Sequence, residues 1–288
     1  MPLRTVTAPA ELRGLCREAR AGHRKIGLVP TMGALHAGHL SLVTVARERA
    51  DLVVLTVFVN PTQFGPGEDL AAYPRALERD RRLAEEAGTD VLFHPAPEAM
   101  YPEGDATRVE VSELTELLCG ASRPGHFRGV ATVVAKLLIL CDPHVAVFGR
   151  KDYQQWRVIQ RMARDLLLEA EIVGAPIVRD PDGLALSSRN AYLSPGERRA
   201  ALALPRALDA GTAAMMAGER APAPVIERMR AVVADEPGAR IDYLEVVDAH
   251  HLQRVDRLAG DLLLAGAIQV GRARLIDNRE VQLEGREG

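Results

Sequence analysis

Cysteine is scarce in this chain of 288 residues. The three cysteines, Cys16, Cys119 and Cys141, form neither a CxxC pair nor an even set, which argues against a disulfide framework and against a cysteine-built zinc site. The sequence Cys141-Asp142-Pro143-His144 has a loosely metal-like spacing. Two further ligands at a suitable spacing are missing, so we do not predict a metal site there.

An excess of charge of one sign is also lacking. The 36 basic residues oppose 39 acidic ones, a formal net charge of -3, so no global field is expected to attract nucleic acid or an anionic membrane. The longest apolar runs, residues 130–140 and 262–270, are too short to span a bilayer, and the first residues contain no apolar signal segment. We therefore expect a cytoplasmic protein with no membrane or nucleic-acid partner.

Apolar runs alternate with segments of helical periodicity over about the first 180 residues. Buried strands are predicted at residues 25–30, 51–59, 89–93, 145–148 and 171–178. Helices are predicted from the turn after residue 30 to about residue 50, and at 74–87, 130–141 and 156–167. This alternation predicts an α/β fold, a Rossmann-like parallel sheet with helices on both faces. Ligands of such sheets bind at the carboxyl ends of the strands.

The composition changes after Asn190. An Ala- and Leu-rich helical stretch at 195–218 and a helix at 224–234 precede strand-like runs at 241–248, 262–270 and 274–277. We predict two domains, a Rossmann-like ligand-binding domain at 1–178 and a smaller α+β C-terminal domain at 179–288. The turn sequence DPDG at 180–183 marks the boundary. We expect the smaller domain to act as a lid that carries a phosphate-binding loop.

The segment PTMGALHAGH at residues 30–39 lies where the first predicted strand turns into a helix. A helix N-terminus offers unpaired N–H groups and a positive dipole end, which favours an anion such as phosphate. His36 and His39 are three residues apart and can share one face of the first turn. Two other interpretations stay open at this point: half of a metal site, and two unrelated surface histidines.

Two further segments carry groups suited to a nucleotide. In LSSRN at 186–190 two hydroxyls and a guanidinium suit a polyphosphate, although a plain polar linker has the same composition. In FGRKDYQQ at 148–155, Gly149 permits close backbone approach, Lys151 can offset phosphate charge and Asp152 can accept from ribose hydroxyls. Asp152 can equally serve as a helix cap.

The segment FVNPTQF at 58–64 follows the strongest predicted strand. Its Gln63 and the Gln155 of the later segment are then placed on neighbouring loops at strand ends. A neutral amide both donates and accepts hydrogen bonds, which suits a small hydroxy acid better than a bare anion.

These four segments, together with AYPR at 72–75, RPGHFRGV at 123–130 and RLIDN at 274–278, resemble the pantothenate synthetase family in order and spacing. The resemblance extends from about residue 25 to 278. It implies an AMP-forming ligase that joins pantoate to β-alanine. The reaction splits ATP to AMP and pyrophosphate through a non-covalently held pantoyl-adenylate. The resemblance also implies Mg²⁺ with ATP as co-substrate, and a homodimer.

The resemblance also implies roles for individual residues. The catalytic residues would be His36, His39, Lys151, Ser187, Ser188 and Arg189. ATP would bind to these and to Pro30, Thr31, Met32, Gly33, Gly149, Asp152, Val178 and Leu186. Pantoate would bind to Met32, Gln63 and Gln155. Residues near the β-alanine site would be Tyr73, Arg123 and His126. Asp80 would be the carboxylate near Mg²⁺, with an exposed surface acid as the alternative.

The chain departs from the family pattern at two positions, with Arg150 where glutamate is frequent and Leu186 where methionine is frequent. Neither departure removes a predicted catalytic group. Two other functions stay open. A nucleotidylyltransferase would stop at a nucleotide-linked product, and a nucleotide sensor would bind ATP without turnover. Product analysis with and without an amine separates all three.

Overall fold

The computed structural model describes residues 2–68 and 70–284. They divide into two compact units. The first unit comprises Met1–Val111, Arg123–Arg150 and Gln155–Val178, and the second comprises Ser112–Ser122, Lys151–Gln154 and Arg179–Gly288. The two predicted domains, 1–178 and 179–288, stay a proposal.

The described residues form strands and helices in the following order. The strands are β1 (Arg4–Val6), β2 (Ile26–Thr31), β3 (Leu52–Val57), β4 (Val91–Phe93), β5 (Val145–Gly149), β6 (Glu171–Ala175), β7 (Ala239–Asp248), β8 (Gly260–Val270) and β9 (Ala273–Leu283). The helices are α1 (Pro9–Ala21), α2 (Ala37–Arg47), α3 (Leu77–Glu86), α4 (Pro97–Met100), α5 (Cys119–Ser122), α6 (His126–Cys141), α7 (Tyr153–Asp165), α8 (Pro195–Ala201), α9 (Ala203–Met216) and α10 (Pro222–Ala234). Short 3-10 turns cover Pro61–Gln63, Arg150–Asp152 and Ser188–Tyr192.

The first unit contains a parallel six-stranded sheet in the order β1-β4-β3-β2-β5-β6. Strand β3 is buried along its whole length, as a β-branched strand covered on both faces should be. Helix α2 packs against β2, β3 and β5, whereas α1 and α6 pack against each other and against β2. The predicted Rossmann-like sheet with helices on both faces is confirmed.

The strand order reverses direction between β2 and β5. After β2 the chain builds β3 and β4 on one side of the sheet, and it then returns to place β5 and β6 on the other side. Such a reversal leaves a crevice beyond the carboxyl ends of the two central strands, which is where open α/β sheets bind ligands. The segments that follow Thr31 in β2 and Gly149 in β5 therefore start at this crevice.

The second unit contains the antiparallel sheet β7-β8-β9 and helices α8, α9 and α10, which bury an apolar core of their own. This confirms the smaller α+β fold. The turn at residues 180–183 is tied down by Arg198, which bonds both Asp180 and Asp182. Arg179 beside it pairs with the buried Asp277 through two bonds of 2.7 and 2.8 Å.

Several predicted boundaries were wrong. Helix α7 ends at Asp165, because Leu167 adopts a left-handed φ of 56° and its side chain is 88% exposed. The apolar character of residues 166 and 167 therefore does not mark a buried helical face. The helical stretch at 195–218 is two helices, α8 and α9. Strand β1 and helix α1 were not predicted. Among the described residues, no helix is both long and apolar enough to cross a bilayer.

Candidate active site

The turn between β2 and α2 brings the two predicted histidines together. His36 is the N-cap of α2, and its Nδ1 accepts a hydrogen bond of 3.2 Å from the Gly38 amide. The His36 and His39 rings lie with their centroids 4.0 Å apart at an interplanar angle of 36°. Because Nδ1 of His36 is an acceptor, its ring proton resides on Nε2. Two imidazole groups thus stand together at a helix N-terminus, where the helix dipole favours an anion.

The residues before this turn are fixed by the sheet. The Thr31 hydroxyl donates to the Thr56 carbonyl at 2.6 Å and accepts from the Gly33 amide at 3.2 Å. Thr31 and Gly33 are buried, whereas Pro30 and Met32 are partly exposed. The start of the predicted ATP-binding segment is therefore held by hydrogen bonds at the carboxyl end of β2.

Gln63 is held in one orientation by neighbours that face its amide. It is buried, and its Oε1 accepts from Asn60 Nδ2 at 3.0 Å. The Gln63 Nε2 group contacts the Met32 sulfur at 3.0 Å. Since sulfur is a weak acceptor, a stronger acceptor on a ligand can take over this donor. The structure thus brings together two of the three residues predicted to bind pantoate.

Asn60 is in turn oriented by Tyr101, which lies 41 residues away in the chain. The Tyr101 hydroxyl donates to Asn60 Oδ1 at 2.8 Å, and the Thr62 hydroxyl donates to the same oxygen at 2.9 Å. Asn60 Nδ2 also donates to the Gly129 carbonyl at 3.1 Å. Burial raises the pKa of Tyr101 above its ordinary value, so the hydroxyl stays a donor at neutral pH. Neither residue was predicted from the sequence, although Asn60 lies within a motif.

We expect Tyr101→Phe to raise the KM for the ligand predicted to bind Gln63 several-fold while kcat changes less than about twofold, because the change weakens binding equally in the ground state and in the transition state. The loss of one buried hydrogen bond should cost about 1 kcal/mol of stability. Tyr243→Phe is the matched control, since its hydroxyl contacts the Cys119 sulfur at 3.3 Å in the second unit. A Tyr101→Phe enzyme with a wild-type KM would contradict the assignment.

Arg123 and His126, predicted to lie near the site, form one cluster with Glu68. Arg123 makes a two-pronged pair with Glu68 at 2.8 and 2.6 Å and donates to His126 Nε2 at 3.0 Å. Because arginine can only donate, His126 carries its proton on Nδ1, which donates to the Gln63 carbonyl at 2.8 Å. Burial opposes ionisation of Glu68, but Arg123 holds the pKa of that carboxyl below its usual value. The sequence analysis did not identify Glu68.

Other predicted residues of the first unit are placed as follows. Gly149 ends β5, and a Cβ there would meet only Leu42, at 4.0 Å, so a ligand can approach its backbone. Arg150 donates to the Gly174 carbonyl at 3.1 Å. Gln155 and Val178 are partly exposed, and Tyr73 is buried against Phe64.

Asp80 is buried rather than exposed, at 1%, so the alternative of a surface acid is wrong. Both of its oxygens accept backbone amides. The described part of the chain holds no group of three His, Cys, Asp or Glu placed to bind a metal ion. A magnesium ion near Asp80 would therefore depend on nucleotide phosphates for its other ligands. The metal role of Asp80 stays a prediction.

The predicted phosphate-binding residues of the second unit share one neighbourhood. Lys151 and Ser187 line a small cavity together with Ala185, Asn190 and Asp277. The Ser187 hydroxyl accepts from the Arg189 amide at 3.2 Å and so caps the 3-10 turn Ser188–Tyr192. Lys151 Nζ lies 3.8 Å from Asp152. Leu186, Ser188 and Arg189 are partly exposed.

The chain has a Rossmann-like sheet, and two histidines stand together at the N-terminus of α2, the helix that follows the central strand β2. These features place it among α/β proteins of the nucleotide-binding type. The sequence profile of the pantoate-β-alanine ligase family matches residues 4–280. The chain belongs to the pantoate-β-alanine ligase family.

Curated proteins and solved structures match this chain over nearly its whole length. Pantothenate synthetase of Moorella thermoacetica is 56% identical over 93% of this chain and 95% of its own length, and that of Heliobacterium modesticaldum is 53% identical over 98% and 100%. The crystal structure of pantothenate synthetase from Thermus thermophilus superposes with a TM-score of 0.92 at 50% identity, covering 97% and 99%. A Francisella tularensis pantoate-β-alanine ligase, complexed with β-γ ATP and β-alanine, has a TM-score of 0.79 at 33% identity over 96% and 97%.

Proposed function

We propose that this chain catalyses the ATP-dependent condensation of (R)-pantoate with β-alanine to pantothenate, a step of coenzyme A biosynthesis. The reaction proceeds through a pantoyl-adenylate that is not covalently bound to the protein, and it releases pyrophosphate and AMP. Membership of the family over residues 4–280 supports the reaction. The observation that carries the proposal is the pair of histidines at the start of α2, with ring centroids 4.0 Å apart, beyond the central strand β2.

The chemistry requires activation of a carboxylate. A carboxylate oxygen is a poor leaving group, so the pantoate carboxylate first attacks the α-phosphorus of ATP and pyrophosphate departs. The amine of β-alanine then attacks the acyl carbon, and AMP leaves with the former carboxylate oxygen. No protein nucleophile is needed. Holding the reactants in near-attack geometry can contribute roughly 7–11 kcal/mol.

His36 and His39 are the groups we assign to the phosphates in the first step. Each imidazole can donate to phosphate oxygens as charge develops on them, and one well-placed donor is worth roughly 3 kcal/mol in the transition state. The dipole of α2 adds to this stabilisation. The contact between the two rings fixes both before the substrate arrives, so little reorganisation is required.

We assign pantoate to Met32, Gln63 and Gln155. The bond from Asn60 to Gln63 Oε1 turns the Nε2 group toward the Met32 sulfur. A hydroxy acid supplies a far better acceptor for this amide than sulfur does. Since Gln63 is also tied through its backbone carbonyl to His126, its position is fixed from both ends.

The remaining assignments follow the chemistry of the side chains. Lys151, Ser187, Ser188 and Arg189 would hold the triphosphate, with Arg189 as a charge-assisted fork. Gly149, Asp152 and the backbone of Val178 would contact the nucleoside, and Pro30, Thr31, Gly33 and Leu186 would complete the ATP site. Tyr73, Arg123 and His126 would lie near β-alanine. Magnesium enters as Mg-ATP, and we propose a cytoplasmic homodimer.

The test is AMP release by the purified protein with Mg-ATP and (R)-pantoate, with and without β-alanine. We expect multiple turnovers only when both substrates are present, with pantothenate and AMP formed in equal amounts. Sustained turnover without pantoate would favour a nucleotidylyltransferase. Binding of ATP without any turnover would favour a sensor, and either result would overturn the proposal.

A further inference from the structure

The turn that leads into the paired histidines has an unusual backbone. Gly33 has a φ of 88° and Ala34 a φ of 51°. In this left-handed region the turn directs the amides of Ala34 and Leu35 toward a common point, a concavity that suits an anion. Glycine adopts this conformation readily, but alanine does so at a cost because of its Cβ. Something must therefore hold Ala34 in place.

The carboxylate of Asp80 occupies that concavity. Its Oδ2 accepts from the Ala34 amide and its Oδ1 from the Leu35 amide, each at 2.8 Å. Asp80 is only 1% exposed. A buried charge is tolerated only where strong hydrogen bonds satisfy it, and these two amides supply them. The two hydrogen bonds join positions that are 46 and 45 residues apart in the chain.

The turn is built closely around this carboxylate. A Cβ on Gly33 would lie 2.9 Å from Asp80 Oδ2 and 2.9 Å from Val57 Cγ1. The Asp80 carboxylate therefore leaves no room for a side chain at residue 33 on one side, and Val57 of β3 leaves none on the other. Leu35, which donates to Oδ1, is directly followed by His36, the N-cap of α2.

We propose that Asp80 is a positioning residue for the His36–His39 pair. Its carboxylate holds the turn at residues 33–35 in the one conformation that presents both rings, and it acts through the backbone rather than by touching the substrate. This inference rests on the proposed function, in which the two histidines contact the phosphates. It gives Asp80 a role that does not depend on a metal ion.

Asp90 provides a matched control within the same unit. Its side chain is 13% exposed, and its Oδ2 accepts from the Val53 amide at 2.7 Å and also bonds Arg47. It is thus another carboxylate that satisfies a backbone amide, but it anchors β3 instead of the histidine turn. Asp80→Asn and Asp90→Asn should both lower the thermal stability, since each loses a charge-assisted bond. Only the first should disturb the site.

The experiment measures pantoate-dependent ATP–pyrophosphate exchange for wild type and both variants over a range of Mg²⁺ concentrations. We expect Asp80→Asn to lower the rate at saturating substrates by at least about tenfold, as for a displaced catalytic group, with half-saturation by Mg²⁺ unchanged. Amide exchange at Ala34 and Leu35 should accelerate. Asp90→Asn should keep the wild-type rate below its melting temperature.

A rescue variant separates positioning from the other roles of a carboxylate. Ala34→Gly removes the steric cost of the left-handed conformation, so the double variant Asp80→Asn/Ala34→Gly should recover part of the lost rate. A loss that added Mg²⁺ repairs would instead identify a metal ligand and overturn the proposal. An Asp80→Asn variant that loses thermal stability but keeps the wild-type exchange rate, as we expect for Asp90→Asn, would also overturn the proposal.

Should Asp80→Asn fail to fold, Ala34→Val alone remains informative, because a β-branched side chain raises the cost of the left-handed conformation at residue 34. We expect faster amide exchange at Leu35 and a lower rate of pyrophosphate exchange into ATP, and unchanged values for both would count against the inference. If wild type itself forms no pantothenate, the proposed function fails, whereas the amide-exchange comparison still tests how Asp80 acts on the turn.

Discussion

Replacing His39 by alanine is expected to lower the rate of adenylate formation by about 10²–10³-fold, the usual effect of losing one preorganised donor to a developing oxyanion. The His39 ring lies against His36 with centroids 4.0 Å apart at the start of α2. The cap of α2 is supplied by His36 and is retained when His39 is replaced, so the fold should persist. Pantoate-dependent pyrophosphate release and thermal unfolding measure the two effects separately.

His36 needs a different design because it has two functions. Its Nδ1 caps α2 by accepting from the Gly38 amide, and the loss of an N-cap costs about 1 kcal/mol. His36→Asn retains a capping acceptor and removes the imidazole, so it should lose activity with less loss of stability than His36→Ala. His251→Ala, at an exposed residue paired with Asp248, is the control. A His39→Ala variant that forms adenylate at the wild-type rate would refute the assignment.

The central sheet was predictable because its signal is local. Strands β2, β3 and β5 are continuous apolar runs closed by Gly, Pro or Asn, and burial on both faces requires such runs. The histidine turn follows from the same pattern, since it joins a recognisable strand to a recognisable helix. Strand β1 has three residues, of which two are exposed, so it carries no comparable apolar signal.

The contacts that support the predicted site residues could not be predicted, for the opposite reason. Tyr101 reaches Asn60 across 41 positions, and Arg123 reaches Glu68 across 55. No local periodicity encodes such contacts. Asp80 shows the same limit, because its place in a helical segment left an exposed surface acid open as an alternative, and only the fold shows its contacts with residues 34 and 35.

Gly129→Ala should show how closely the position of Gln63, which we assign to pantoate, depends on α6. A Cβ at this position would lie 2.3 Å from the Thr62 carbonyl oxygen and 2.7 Å from Gln63 Cα. Both atoms belong to the backbone, so no rotamer change can relieve the overlap, and the helix must move away from the turn Pro61–Gln63. The bond from Asn60 to the Gly129 carbonyl, 3.1 Å long, would then be lost.

We expect Gly129→Ala to destabilise the protein by about 1–3 kcal/mol, the cost of overpacking, even though alanine favours a helix over glycine by about 1 kcal/mol. The KM for pantoate should rise at least about tenfold, since an error of about 1 Å in a positioned group has effects of that size. Gly14→Ala in α1, where a Cβ meets nothing within 4 Å, should instead stabilise the fold by about 0.5–1 kcal/mol and leave KM unchanged. Chemical denaturation and pantoate titration of both variants provide the measurement. Stabilisation by both substitutions would mean that α6 can shift without disturbing Gln63, and the link from helix packing to substrate binding would fail.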